Sequence, residues 1–296
     1  MGNSIRLGTR GSALALAQAE LVADALGGAE IVKVASDAPQ AAGGDKARFV
    51  RGVEQALLAD EVDLGVHSAK DLPAELPREL RLSGVPARED PLDAYVGPGR
   101  SLDEVAEGAR VGTSSLRRRA QLLALRPDLD VVELRGNVDT RLRRLADGDF
   151  DGIVLASAGL RRLGREAEIG FAFDPRVMTP AAGQGSLALE TRREDDDAGA
   201  AAARISDATA LVELTAERSA VAGLDATCRT PVGVHAALAD GRLRVLGFVG
   251  LPDGSEWVRD ALEGDPEDPV AVGRELASRL VAAGARDVLE RAEAGA

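Results

Sequence analysis

The chain has 296 residues, 45% of them hydrophobic and 29% charged, which suits a globular protein of about two domains with room for a small third. One cysteine, Cys228, and two histidines, His67 and His235, exclude an intrachain disulfide and speak against a structural metal site. A formal net charge of -13 argues against general nucleic-acid binding, and no apolar run nears the ~20 residues that span a bilayer.

Along the chain, residues 4–7 predict a short strand. Leu14, Ala17, Leu21, Val22, Ala25 and Leu26 then recur at helical spacing. Gln18, Glu20 and Asp24 interrupt that stretch, so it reads as an amphipathic helix and not as a leader peptide. Arg6 stands where a myristoylation signal needs Ser or Thr. The expectation is a cytoplasmic protein. A second strand is predicted at 30–35, a helix at 49–59 and a buried strand at 62–66. Residues 110–112 lead into a helix at 115–125. A strand at 131–134, a helix at 138–145 and a strand at 153–156 follow. Strands alternating with helices imply parallel, doubly wound sheets, which bind ligands in the loops at the carboxyl ends of their strands. The last third changes character. A helix at 209–221 precedes strands at 232–238 and 243–249, joined by a turn at Asp240-Gly241, and a third strand at 256–259. Helices at 270–283 and from 286 onward complete a small α+β unit with an antiparallel sheet. The acidic run 194–197 reads as a surface loop.

Charge is unevenly spread. Residues 110–165 hold twelve Arg against seven Asp and Glu, a positive stretch within an acidic chain. Several strand-to-helix junctions repeat one layout. At Arg6-Leu7-Gly8-Thr9-Arg10-Gly11-Ser12 a helix start capped by Ser12 or a neighbour would favour an anion beside Arg10; a capped helix with surface arginines has the same spacing. At Gly112-Thr113-Ser114-Ser115-Leu116-Arg117-Arg118-Arg119, three arginines crowd a helix N-terminus. That is unfavourable to the helix dipole, so anionic groups are expected there. At Leu134-Arg135-Gly136-Asn137-Val138-Asp139-Thr140-Arg141 the layout recurs, and Arg forks pair with carboxylates or phosphates. Several such junctions suggest a polyanionic ligand, although solvated surface arginines would leave the same pattern.

Three further segments carry chemistry. In His67-Ser68-Ala69-Lys70-Asp71-Leu72-Pro73, directly after a buried strand, a carboxylate flanked by Lys70 would stay ionised. It could stabilise a developing cation or exchange protons with a leaving group, or simply fix a turn before Pro73. In Ala181-Ala182-Gly183-Gln184-Gly185-Ser186 the paired glycines allow close backbone approach. In Leu224-Asp225-Ala226-Thr227-Cys228-Arg229-Thr230-Pro231, Arg229 favours a thiolate, hence a nucleophile or an attachment point. An inert small hydrophobe is the alternative.

In order, these segments resemble the hydroxymethylbilane synthase (porphobilinogen deaminase) family over nearly the whole chain. The most specific pieces are HSAKDLP at 67–73, VGTSSLRRRAQL at 111–122, LRGNVDTRL at 134–142 and LDATCRTPVG at 224–233, with IVLASAGLRRLG and AAGQGSLALE between them. The resemblance implies stepwise head-to-tail condensation of four porphobilinogen molecules with loss of ammonia, primed on a covalent dipyrromethane cofactor. It implies a thioether to Cys228 and a catalytic carboxylate at Asp71. Carboxylate-binding positions fall on Arg10, Ser12, Lys46, Ser68, Lys70, Thr113, Ser114, Ser115, Arg117, Arg118, Arg135, Asn137, Arg141 and Gln184, with no metal. Each pyrrole carries an acetate and a propionate, so many Arg forks fit an acidic protein. The implied fold is two doubly wound domains like periplasmic binding proteins, residues 1–88 with 181–203 and residues 89–180, plus an α+β domain at 204–296 that holds the cysteine. The implied enzyme is a monomer that passes hydroxymethylbilane to the next pathway enzyme and needs neither nucleic acid nor membrane. The chain departs from the family at Ala226-Thr227, where Gly-Gly is common, and in a shortened loop at 36–40. One family lysine of that loop falls on Ala42, while Lys46 keeps another.

The competing reading is a non-catalytic polyanion-binding protein on the same scaffold. It leaves HSAKDLP and the lone cysteine in its loop unexplained. A phosphate-ester enzyme is a third reading, but the chain has no P-loop and no evident metal cluster.

Overall fold

The computed structural model describes residues 4–34, 44–73, 75–226 and 230–294, with the side chains of 44–49 outside the description. Strand β1 (Arg6–Thr9) runs into α1 (Ala13–Ala25), followed by β2 (Glu30–Lys33), α2 (Gly44–Leu58) and β3 (Leu64–Ser68). A 3-10 turn at Ala69–Asp71 leads to β4 (Leu80–Gly84). The chain then builds β5 (Asp93–Val96), β6 (Arg110–Gly112), α3 (Leu116–Leu125), β7 (Asp130–Val132), α4 (Val138–Ala146), β8 (Gly152–Ala156), α5 (Ser157–Arg162) and β9 (Phe171–Ala172). It returns as β10 (Leu187–Arg192) and α6 (Asp196–Arg204). It ends with α7 (Ala208–Gly223), β11 (Val232–Ala239), β12 (Arg242–Gly250), β13 (Trp257–Gly264), α8 (Pro269–Ala282) and α9 (Ala285–Ala294).

These strands form a five-stranded sheet in the order β2-β1-β3-β10-β4, a second in the order β7-β6-β8-β5-β9, and a three-stranded sheet β11-β12-β13. The first two have the doubly wound α/β arrangement and the third is antiparallel, as the sequence implies. The expectation of purely parallel sheets needs correction. β10 runs antiparallel to both β3 and β4, and β5 antiparallel to β8 and β9. Each is inserted by a segment distant in sequence, so no βαβ crossover dictates its direction.

Local chemistry explains most boundaries. Ser12, Ser115, Asn137, Asp195, Asp207 and Asp268 each cap a helix through a side-chain oxygen. Asp195 lies in the acidic run expected to be a loop; instead it starts α6, whose first turn carries Asp196 and Asp197, where negative charge suits the helix dipole. The turn between β11 and β12 places Asp240 and Gly241 at φ 52° and 72°, the left-handed pair a two-residue hairpin needs. The third predicted strand continues to Gly264. Residue 35 of the second predicted strand lies outside the described residues.

Each sheet has its own apolar core. Leu7, Leu64, Leu187 and Leu189 pack with Val22 of α1. Val111, Leu122, Val131, Val154 and Met178 fill one side of the second sheet, and Ile153, Leu155, Leu134 and Phe150 the other. Val234, Ala236 and Val245 meet Leu276 and Leu280 of α8. Among the described residues no helix is long and apolar enough to cross a membrane.

Candidate active site

The site grows from the carboxyl ends of parallel strands. β3 ends at Ser68, and the following 3-10 turn presents Lys70 and Asp71, both half-buried. The turn is supported from behind. Ala69 N–H donates to the Ser186 carbonyl at 3.0 Å. Gly183, at φ 73°, lies so close that a Cβ there would stand 2.8 Å from Ala69 C and 2.9 Å from Lys70 N. Only glycine satisfies both the backbone angle and the contact.

Asp71 lies within electrostatic reach of arginines carried by different sheets. Burial lowers the pKa of Arg10, which follows β1, while Asp71 pulls it back up. Arg141, in α4, is lowered to about 10 by burial first and by Arg118 next, with Asp71 again opposing. Arg141 Nη2 donates to Ser114 Oγ at 3.1 Å, and its Nε to the Gly136 carbonyl at 2.8 Å. Gln184 links the two sheets. Its Oε1 is 3.4 Å from both Lys70 Nζ and Arg118 Nη2, and its Nε2 donates to Asp93 Oδ1 at 3.0 Å.

The arginines crowded at the start of α3 have an internal carboxylate partner. Arg117 donates Nη1 to Asp93 Oδ2 at 2.6 Å, Nη2 to Oδ1 at 3.0 Å, and Nη1 to the Thr179 carbonyl at 2.7 Å. Arg118 donates Nε to Asp93 Oδ1 at 2.8 Å and Nη1 to the Val154 carbonyl at 2.8 Å. Asp93 is fully buried. Burial alone would raise its pKa; Arg117, Arg118 and Gln184 outweigh that and hold it far below the usual carboxylate range.

The other predicted positions divide into groups. Ser12, Ser115 and Asn137 use their side-chain oxygens as helix caps, accepting from Ala15, Arg118 and Thr140 N–H. Thr113 is buried, and its Oγ1 accepts from Ser115 N–H at 3.2 Å. Ser68 is half-buried at the end of β3. Arg135 is exposed and donates Nε to Glu133 at 2.8 Å. Lys46 belongs to α2, but its side chain lies outside the described residues, as does the whole of Cys228.

Sequence reasoning passed over several residues here. Arg162 of α5 donates Nη2 to the Gly185 carbonyl at 2.6 Å, and burial lowers its pKa to about 10. Its signal was the same strand-to-helix layout, in the stretch after β8. Arg88 donates Nε to the Gln184 carbonyl at 2.9 Å and pairs with Glu213 and Glu217 of α7. Glu217, fully buried, accepts from Gly183 N–H at 2.6 Å and Ala236 N–H at 2.8 Å. It thereby ties α7 and β11 to the loop behind Lys70. Asp93 carried no local signal.

Comparison with known proteins identifies the family. The family model described as porphobilinogen deaminase, dipyromethane cofactor binding domain matches residues 5–200. The porphobilinogen deaminase C-terminal domain matches 211–282. The chain belongs to the porphobilinogen deaminase family. The porphobilinogen deaminase of Roseiflexus castenholzii is 45% identical over 98% of this chain and 99% of its own. That of Deinococcus radiodurans is 43% identical over 97% and 98%, and that of Thermus thermophilus 44% over 96% and 97%. Among solved structures, a TRAP periplasmic solute binding protein from Desulfovibrio salexigens overlaps 70% of this chain and 73% of its own, at 12% identity and a TM-score of 0.41.

As a porphobilinogen deaminase, the chain is a transferase of tetrapyrrole biosynthesis with hydroxymethylbilane synthase activity. Its substrate is porphobilinogen and its cofactor is dipyrromethane. The donor set fits such a polycarboxylate. Arg10 follows β1, Lys70 follows β3 and Arg141 lies on α4, and incoming carboxylates would, like Asp71, offset the burial that lowers the pKa of both arginines.

Proposed function

We propose that Asp71 is the catalytic carboxylate of the synthase and that Cys228 holds the dipyrromethane through a thioether. The reading assigns carboxylate binding to Arg10, Lys70, Ser114 and Arg141, with Arg117 and Arg118 supplying positive field from the wall they form with Asp93. Ser12, Thr113, Ser115 and Asn137 shape the helix starts whose remaining N–H groups face anions. The observation that carries it is that Asp71 lies within electrostatic reach of both Arg10, which follows β1, and Arg141, in α4. In this reading residues 1–88 with 181–203 form one domain, 89–180 a second and 204–296 a third, with the cleft between the first two.

Bound dipyrromethane supplies the primer whose terminal α-carbon is the nucleophile. The protein's part is to orient and stabilise. Arg forks fix the substrate's acetate and propionate, so each porphobilinogen enters in one orientation. Ammonia leaves from the protonated aminomethyl group and a cationic pyrrole remains; the ionised Asp71 carboxylate, preorganised by the turn that Gly183 supports, stabilises that charge and accepts the proton released once the new carbon–carbon bond has formed. Hydroxymethylbilane then passes to the next enzyme. The same reading makes the protein a cytoplasmic monomer that engages neither nucleic acid nor membrane.

Ammonia release tests it. Porphobilinogen consumption should match ammonia formed one to one, with one linear tetrapyrrole for every four substrates consumed. Binding of porphobilinogen without ammonia release would instead support the polyanion-binding alternative.

A further inference from the structure

A second group of ionisable side chains lies behind the catalytic turn and takes no part in the chemistry above. β3 and β10 pair antiparallel with Gly65 opposite Glu190 and His67 opposite Ala188. Residues two apart on a strand share a face, so Gly65, His67, Ala188 and Glu190 line one side of the first sheet. The other side carries Leu64, Val66, Leu187 and Leu189. On the His67 side the cover is apolar. Ala188 and Leu214 of α7 share a cluster with Ala69 and Leu72 of the catalytic turn. Into that layer the chain places His67 and a fully buried Glu190, with Nε2 and Oε2 3.0 Å apart as an ion-pair contact outside hydrogen-bond geometry. Arg218 of α7 feels the attraction of Glu190, and Glu54 of α2 its repulsion. Gly65 makes the room: a Cβ there would stand 2.9 Å from His67 Nε2 and 2.8 Å from Val53 Cγ1.

A buried carboxylate is costly, and an apolar pair would fill the same space more cheaply. The placement of this one is specific. His67 directly precedes the turn that bears Asp71, and Arg218 lies on the helix that ends at Gly223, just ahead of Cys228. We propose that His67 and Glu190 are positioning residues. Their pair locks the end of β3 to β10 beneath α7, and so sets the turn that bears Asp71. The inference rests on the reading of Asp71 and Cys228 given above.

Three substitutions at His67 test it, measured on holoenzyme beside Asp71→Asn. Glutamine places an N–H close to the position of Nε2, whereas asparagine places it near Nδ1 and leucine offers none. We expect His67→Gln to keep most of the turnover. His67→Asn and His67→Leu should carry the cofactor mass but lose kcat about tenfold or more, because small misplacements of a reacting group are expensive. KM for porphobilinogen should rise less than kcat falls, since of the carboxylate-binding cations only Lys70 shares the displaced turn. Where His67→Leu does not fold, the contrast between Gln and Asn decides. Equal kcat in those two variants overturns the proposal, and so does a His67→Asn chain that fails to fold, which would reduce the pair to packing. Full turnover in Asp71→Asn would instead overturn the underlying site reading. An inactive Asp71→Asn beside a fully active His67→Asn removes the positioning role alone.

Discussion

Asp93→Ala is expected to destabilise the protein by about 3–5 kcal/mol, the cost of leaving buried charges without their partner. Two guanidiniums, Arg117 and Arg118, are each about 5% exposed and both converge on that one carboxylate. Removing it leaves like charges side by side and frees Gln184 Nε2 from one of its two acceptors. The pH dependence follows from the sign of the shift. The folded carboxyl is held far below its ordinary value, so its contribution is complete above the unfolded range near pH ~4, declines as pH falls below that range and is fully lost once pH has fallen through the depressed folded value. The stability difference between wild type and Asp93→Ala should therefore be flat between about pH 5 and 8 and shrink progressively below about pH 4. Urea unfolding at several pH values checks both statements. A difference under about 1 kcal/mol would mean that the two arginines find other partners.

Asp71→Asn should lower kcat by at least about 100-fold, the scale reported by removal of one preorganised group aimed at developing charge. Stability should change little, since Asp71 is half-buried on a surface turn. Asparagine keeps the shape and removes the charge, so substrate carboxylates should still bind. Single-turnover kinetics with porphobilinogen separate binding from chemistry. Unchanged turnover would end the catalytic assignment of Asp71.

The parts of this fold that were legible are those encoded locally. The helix α1 after β1, the arginine-rich α3 after β6 and the helix α4 after β7 follow from periodicity and turn residues next to one another in the chain. β10 is different. Leu187–Arg192 slots between β3 and β4, a hundred residues away in sequence. Its antiparallel sense depends on where the chain returns, and nothing within those six residues records that. The same limit applies to the site. Asp71 and Arg10 stand in loops at strand ends, where a doubly wound sheet presents function. At Arg117 and Arg118 the sequence signals an anion but not its owner. The structure pairs both with Asp93, which sits on β5, a strand of the same sheet that the sequence reading does not predict. Arg88 and Glu217 show the limit at longer range, since their pairing joins β11 and α7 to the Gly183 loop across more than a hundred residues.

The central claim is that this chain builds its product on a dipyrromethane carried by Cys228. The most direct test is the denatured intact mass of the purified protein and of Cys228→Ser. The account predicts a covalent increment of two pyrrole units in the first and none in the second. An apo preparation should gain that increment on incubation with porphobilinogen. An unmodified wild-type mass that persists after such incubation, or an increment that survives in Cys228→Ser, would contradict it.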